Sequence, residues 1–317
     1  MTAAINAANS SGGGTIKLDG HCTYQLSGVD NSDPMTGDNA LPVVTSQIKI
    51  DGPGATIAGD GAARILEVSA PNGALTLNGL TLTGGFNGFA GGALFNNEAV
   101  LNVDHVVVTG NVAGAGGGIA SGTGRPGPIG TTTIDHSRID HNTAFAGGGG
   151  ILNHAGILML SHSQVSWNTA PGGGGIASGK GNPDNGGSSI VIDHSRIDHN
   201  TANGGPEGGG GGIANGGELA VDHSEIVDNT APGGPGAGLF NHGDSATLSH
   251  TKVERNTAPN DGTDDGFGGG IANLNFGLPN TPVVTLTLDH SRVSHNSASG
   301  GGGGIFNGPF GGPATVT

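Results

Sequence analysis

Apolar residues recur along this chain in short alternating runs. Around residue 220 they fall at Leu219, Val221 and then Ile226, with polar or small residues between, and each such run ends in Gly, Asn or His. An alternation of two is the side-chain period of a strand, and no run has the 3.6-residue period or the length of a helix. The runs are also copies of one another. LNVDHVVVTGNVA, TTIDHSRIDHNTA, LMLSHSQVSWNTA, IVIDHSRIDHNTA, LAVDHSEIVDNTA, ATLSHTKVERNTA and LTLDHSRVSHNSA are seven versions of one unit. LTLNGLTLTGG, from Leu75, is a degenerate earlier version with Gly79 at the His position and Gly85 at the Asn position. Between versions lies a glycine-rich motif ending in one aliphatic residue, at Leu94, Ile119, Ile151, Ile176, Ile213, Leu239, Ile271 and Ile305. These are 25 to 37 residues apart, the mark of a solenoid whose constant coil carries insertions of variable length.

Three short strands per unit, GGGGIAN, ELAVDH and SEIVDN, predict one turn of an all-β, right-handed, single-stranded parallel β-helix. Coils stacked at about 4.8 Å give a rod of roughly ten coils, about 50 Å long. Thr2 to Asn9, Ala-rich with Ile5 as its apolar contact, is expected to form a short helix capping the open strand edges of the first coil. Residues 1–70 are thus expected to be the cap and irregular first coils, and residues 71–317 the regular repeats. The closing GPATVT stops where a further second strand is due to begin, so the chain is expected to be truncated there.

Composition narrows the class. Of 317 residues 67 are Gly, but they are clumped, as in Gly208 to Gly212, without the period of three a collagen helix requires. Aromatic residues are only 3% of the chain, which suits a narrow coil filled by stacked Val, Ile, Leu and Ala. The formal charge of −15, with ten Lys and Arg in all, argues against a nucleic-acid partner and against anionic membranes. No apolar stretch of about 18 residues predicts a transmembrane segment, and the first residues carry no secretory leader pattern. Cys22 is the single cysteine, which excludes an intramolecular disulfide and a multi-cysteine metal site.

The paired motifs GGGGIAN and IDHNTA resemble the GGAI and FxxN repeats of chlamydial polymorphic outer-membrane proteins, with Val or Ile where Phe is usual, as at Ile139, Ile197 and Ile226. The opening AAINAAN, with GGGTIKL and CTYQL, is similar to the N-terminal cap and first coil of the pectate-lyase-like superfamily. The resemblance spans nearly the whole chain. It implies the β-helix fold and an extracellular or cell-surface location, whereas that superfamily includes lyases, glycosidases, epimerases, adhesins and passive stalks.

Candidate chemistry lies in columns. His105, His136, His162, His194, His223, His250 and His290 stack at the coil spacing, where neighbouring imidazoles could share a metal ion. Zinc and copper sites normally draw three or four ligands to one point, and a line of rings is more simply a structural ladder at a corner. Acidification would then force like charges together in adjacent coils. Asn111, Asn142, Asn168, Asn200, Asn229, Asn256 and Asn296 are read as a second structural ladder, with Asn taking the left-handed conformation of a corner.

Arg138 with Asp140, and Arg196 with Asp198, are two apart on a strand and share a face, with His141 and His199 following. Such a cluster could serve a polysaccharide lyase or glycosidase. Both pairs obey the repeat, however, and are read as surface ion pairs, as are Asp104, Asp135, Asp193, Asp222 and Asp289. Insertions at SGTGRPGPIG, SGKGNPDNGG and NLNFGLPNTP are expected to project from one corner. Asp261, Asp264 and Asp265 in a further insertion offer a partial oxygen set for Ca²⁺ but are more simply a plain solvated loop, so no cofactor is expected, with Ca²⁺ there as the alternative. Phe267, Phe276, Phe306 and Phe310 are expected to pack near the C-terminal end. No Walker loop, GxSxG elbow or HExxH helix is present. The leading expectation is a non-catalytic scaffold or adhesin-like rod whose loops bind glycans or surface partners, with the polysaccharide-active enzyme as its rival.

Overall fold

The computed structural model describes residues 1–122, 129–179, 187–205, 208–262, 266–275, 283–309 and 313–317. They form an all-β parallel solenoid of about nine turns with one short helix at its N-terminal end. The coil around residue 220 shows how the sequence builds a turn. Ile213–Asn215 lies in one sheet, Glu218–Asp222 in a second and Glu225–Val227 in a third, and each pairs in parallel with the same segment of the coils before and after. Across the described residues these sheets contain 9, 11 and 10 strands.

Register is fixed by the alternation. Leu219 pairs with Ile190 and Ala246, Val221 with Ile192 and Leu248, and Ile226 with Ile197 and Val253, so like side chains stack inward. A slip of one residue would turn every one of them to solvent. The result is one continuous core from Ile5 to Leu286, in which each fully buried aliphatic side chain contributes about 1.5–3 kcal/mol.

The helix Thr2–Ser11 buries Ile5 and Ala8 against this core and ends in the left-handed Gly12, as the sequence anticipates for a cap. Asn9 fastens it, donating to the Val43 carbonyl at 2.8 Å and accepting from the Thr45 amide at 3.0 Å. One element is absent from the sequence reading. The NTA segments form a fourth, two-residue strand in several coils, such as Thr169–Ala170 and Thr201–Ala202, whose Ala side chains point inward.

The glycine runs have a specific cause. Between this fourth segment and the next strand the backbone turns tightly against that strand, and one glycine per coil takes positive φ there, as Gly210 does at +70°. A Cβ on Gly210 would lie 2.2 Å from the Ile213 carbonyl oxygen, so no other residue fits. Near the C-terminal end Phe267 and Phe306 pack at 4.9 Å beside Phe240 and Leu274, whereas Phe276 and Phe310 lie outside the described residues.

Candidate functional site

Two corners flank the third sheet. The seven histidines occupy the turn between the Glu218–Asp222 type of strand and the Glu225–Val227 type, each with φ between 43° and 53°. Histidine is among the few non-glycine residues enriched in that conformation. Their rings stack face to face without a gap from His105 to His290, with centroids 4.6 to 5.3 Å apart and planes within 13°. The side chains are 48 to 74% exposed.

The aspartates before them are their partners. Asp104, Asp193 and Asp289 lie 2.6 to 2.8 Å from Nδ1 of the adjoining His. Asp135 and Asp222 serve two coils each, reaching His136 and His162, and His223 and His250, because Ser161 and Ser249 hold the acidic position in the second coil of each pair. The hydrogen bond from His223 holds the Asp222 carboxyl below the usual carboxylate range. For Asp135, desolvation pushes upward, but the bonds from Ser161 and His136 outweigh it and the net direction is again down. Between this corner and the third sheet runs an open groove of about 600 Å³, edged by the imidazoles and by Arg138, Gln164 and Arg196.

The asparagines hold the next corner. From Asn111 to Asn256 each is fully buried, and each donates through its amide and through Nδ2 to Oδ1 of the next, at 2.9 to 3.1 Å. These bonds link each coil to the next. The left-handed residue is not the asparagine, as expected, but the one before it: His141, Trp167, His199, Asp228, Arg255 and His295 have φ of 53° to 58°. Asn is freed from that duty because its amide must face inward to reach the neighbouring coil.

The candidate catalytic residues are brought together only pairwise. Arg138 touches Asp140, and Arg196 Nε lies 3.2 Å from Asp198. The arginines are at the surface, but Asp140 and Asp198 are buried, which corrects the expectation of exposed ion pairs. His141 and His199 lie over these carboxylates, and Gln164 Nε2 donates to Asp198 at 2.9 Å. Ser166 stands between them in register, so the two aspartates lie two coils apart, and Arg196 is met by Glu225 and Asp228 as well as by Asp198. Of the Ca²⁺ candidates, Asp261 lies against Gly233, and Asp264 and Asp265 fall outside the described residues.

A second place combines residues that no repeat pattern singles out. Asn31–Asp33 and Gly37–Asn39 form an antiparallel hairpin inserted among the early coils. It docks on Phe86–Ala90, where Asn87 donates to the Asp38 carbonyl at 3.2 Å and accepts from the Phe89 amide at 2.8 Å. Beneath it Arg64 is fully buried, donating to Glu67 at 2.9 Å and Asn39 at 2.7 Å with Phe95 4.8 Å away. Burial pushes its guanidinium down to about 10, against the pull of Glu67. Above this network opens a pocket of about 570 Å³, walled by Met35, Phe89, Phe95, Asn97, Glu98 and His154. The signals in the sequence were local: the turn-forming PMTG between two polar runs, and the loss of His and Asn at Gly79 and Gly85. A serine ladder also escaped the reading, although Ser follows His in most copies: the Ser137 amide donates to Ser163 Oγ at 3.0 Å and the Ser163 amide to Ser195 Oγ at 3.1 Å.

In comparisons with known proteins, no family model, no curated protein and no solved structure matches this chain.

Proposed function

We propose that the protein is a non-catalytic binding rod, acting outside the cell or at its surface, that holds a glycan through the pocket beneath the 31–39 hairpin. The observation that carries this reading is that pocket, built where the chain leaves its repeat while the regular coils keep theirs. Phe89 is 55% exposed and Met35 51%, so apolar area lies open beside Asn97, Glu98 and His154. An aromatic face with a few polar groups is the composition of a small-molecule site, and a sugar offers both an apolar ring face and hydroxyls. The acid balance of the chain favours a neutral sugar over a uronate.

The resemblance of the repeats to polymorphic outer-membrane proteins and to the pectate-lyase-like superfamily supports a place at the surface. The burial of Asp140 and Asp198 under Arg and His weighs against the rival polysaccharide lyase or glycosidase, since a general acid must reach the scissile bond. The test is binding of the whole chain to a panel of neutral and acidic glycans, with Phe89→Ala beside it. A neutral glycan whose affinity falls at least about tenfold in the variant, a loss of about 1.4 kcal/mol, supports the reading. Binding that ignores Phe89, or none across the panel, overturns it.

A further inference from the structure

We propose that the histidine corner is a linear binding array for divalent transition-metal ions of the zinc, copper and nickel class. The inference is independent of the hairpin pocket. It starts from a conformational choice: at a left-handed corner glycine is the unstrained residue, and Gly79 fills the equivalent position in the earlier copy with φ +73°. All seven following coils place an imidazole there instead. Buried ladders of Asn and Ser already tie the same coils together, so the exposed rings are not needed to join them.

The hydrogen bonding then selects a tautomer. An ionised carboxylate only accepts, so the Nδ1 atoms lying 2.6 to 2.8 Å from Asp104, Asp193 and Asp289 carry the proton, and Nε2 of each neutral ring is left with its lone pair. A ring whose second nitrogen is bound to a carboxylate is the usual form of a metal-ligating histidine, oriented and made more basic by that partner. Imidazole nitrogens suit zinc, copper and nickel, whereas magnesium and calcium prefer oxygen.

Distances allow adjacent coils to share an ion. In each of two groups, Asp104 with His105 and His136 and Asp193 with His194 and His223, one potential ligand atom per residue lies within 4.8 Å of the others; the carboxylate is taken up by Nδ1, so the ion is shared by the two imidazoles. Metal–nitrogen bonds of about 2.0–2.1 Å require two nitrogens to approach within about 4.2 Å. Stacked rings about 5 Å apart, half exposed, reach that by small side-chain rotations. These two groups share no residue, so the array holds at least two ions per chain.

The experiment is equilibrium dialysis of the whole chain against zinc and nickel, with magnesium as the oxygen-preferring control. The wild-type chain is expected to bind two or more zinc ions at micromolar free metal and to bind magnesium far more weakly. A variant with asparagine at all seven ladder positions, a residue that tolerates the left-handed corner, is expected to lose affinity by at least about tenfold. A variant with asparagine at His141, His199 and His295, on the other corner, should bind as the wild type does. Should the sevenfold variant fail to fold, His194→Asn with His223→Asn should still remove one ion. Fewer than one zinc per chain, equal binding by the ladder variant, or equal affinity for magnesium overturns the proposal.

Discussion

The histidine and asparagine corners repeat with the same period, turn the chain through the same left-handed conformation and stack a polar side chain from coil to coil. One is buried and the other is not. At the asparagine corner every donor and acceptor is consumed inside the protein, and the amides hold the coils in register. At the histidine corner one ring nitrogen faces an aspartate and roughly half of each ring faces solvent. A column repeated for seven coils is therefore not structural by virtue of its repetition. Burial and the count of unused lone pairs separate the column that makes the rod from the column that is available to a ligand.

The contrast is tested hardest at Asn200. Its side chain donates to Asn229 Oδ1 at 3.1 Å and to the Val165 carbonyl at 2.9 Å, and accepts from the Asn168 amide and Nδ2 at 3.0 Å. Asn200→Ala strands buried groups of two neighbouring coils, and urea unfolding should show a loss of about 2–4 kcal/mol. A loss under about 1 kcal/mol would put the two corners in one class.

A smaller effect is expected at Asp228, the left-handed residue beside Asn229, whose carboxylate accepts from Arg255 Nε at 2.8 Å and Nη2 at 2.9 Å. Those hydrogen bonds hold the Asp228 carboxyl below the ordinary Asp range and raise Arg255 above its own. A depressed carboxyl contributes stability that is present above its unfolded value and lost as pH falls through the folded one. Asp228→Asn should therefore cost the small amount typical of an exposed ion pair at neutral pH, and the difference from wild type should shrink as pH falls below about 4 and be gone only once pH is below the depressed folded value. A difference that persists in acid would assign Asp228 a role in the corner itself.

The smallest effect on stability is expected at His194. Asparagine fits its φ of 43°, and the ring is surface-exposed, so His194→Asn should lie within about 0.5 kcal/mol of wild type in the same urea experiment. A loss matching that of Asn200→Ala would make the histidine column a structural ladder like its neighbour.

The rod was legible because a solenoid writes its fold into the sequence many times over. Leu219, Val221 and Ile226 reveal an inward face in one coil, and the copies beside them repeat it in register. The asparagine ladder and the capping helix with Ile5 followed from the same periodicity and from what an open strand edge requires. Which residue of a corner carries positive φ did not, since Asp228 and Asn229 are adjacent and both residue types tolerate it. Asp140 looked exposed because a two-residue spacing assigns a face of the strand but not what lies over that face. The hairpin pocket was the least legible, because Met35, Phe89 and His154 meet only through tertiary packing, outside any column.

The account's central claim, binding without turnover, is tested most directly by incubating the folded chain with neutral and acidic polysaccharides, with and without Ca²⁺, and measuring new reducing ends and unsaturated products. The account predicts product no higher than in buffer alone across the panel. Product formation by the wild type that is lost in Asp198→Ala or Arg196→Ala would contradict it and place a catalytic centre on the third sheet.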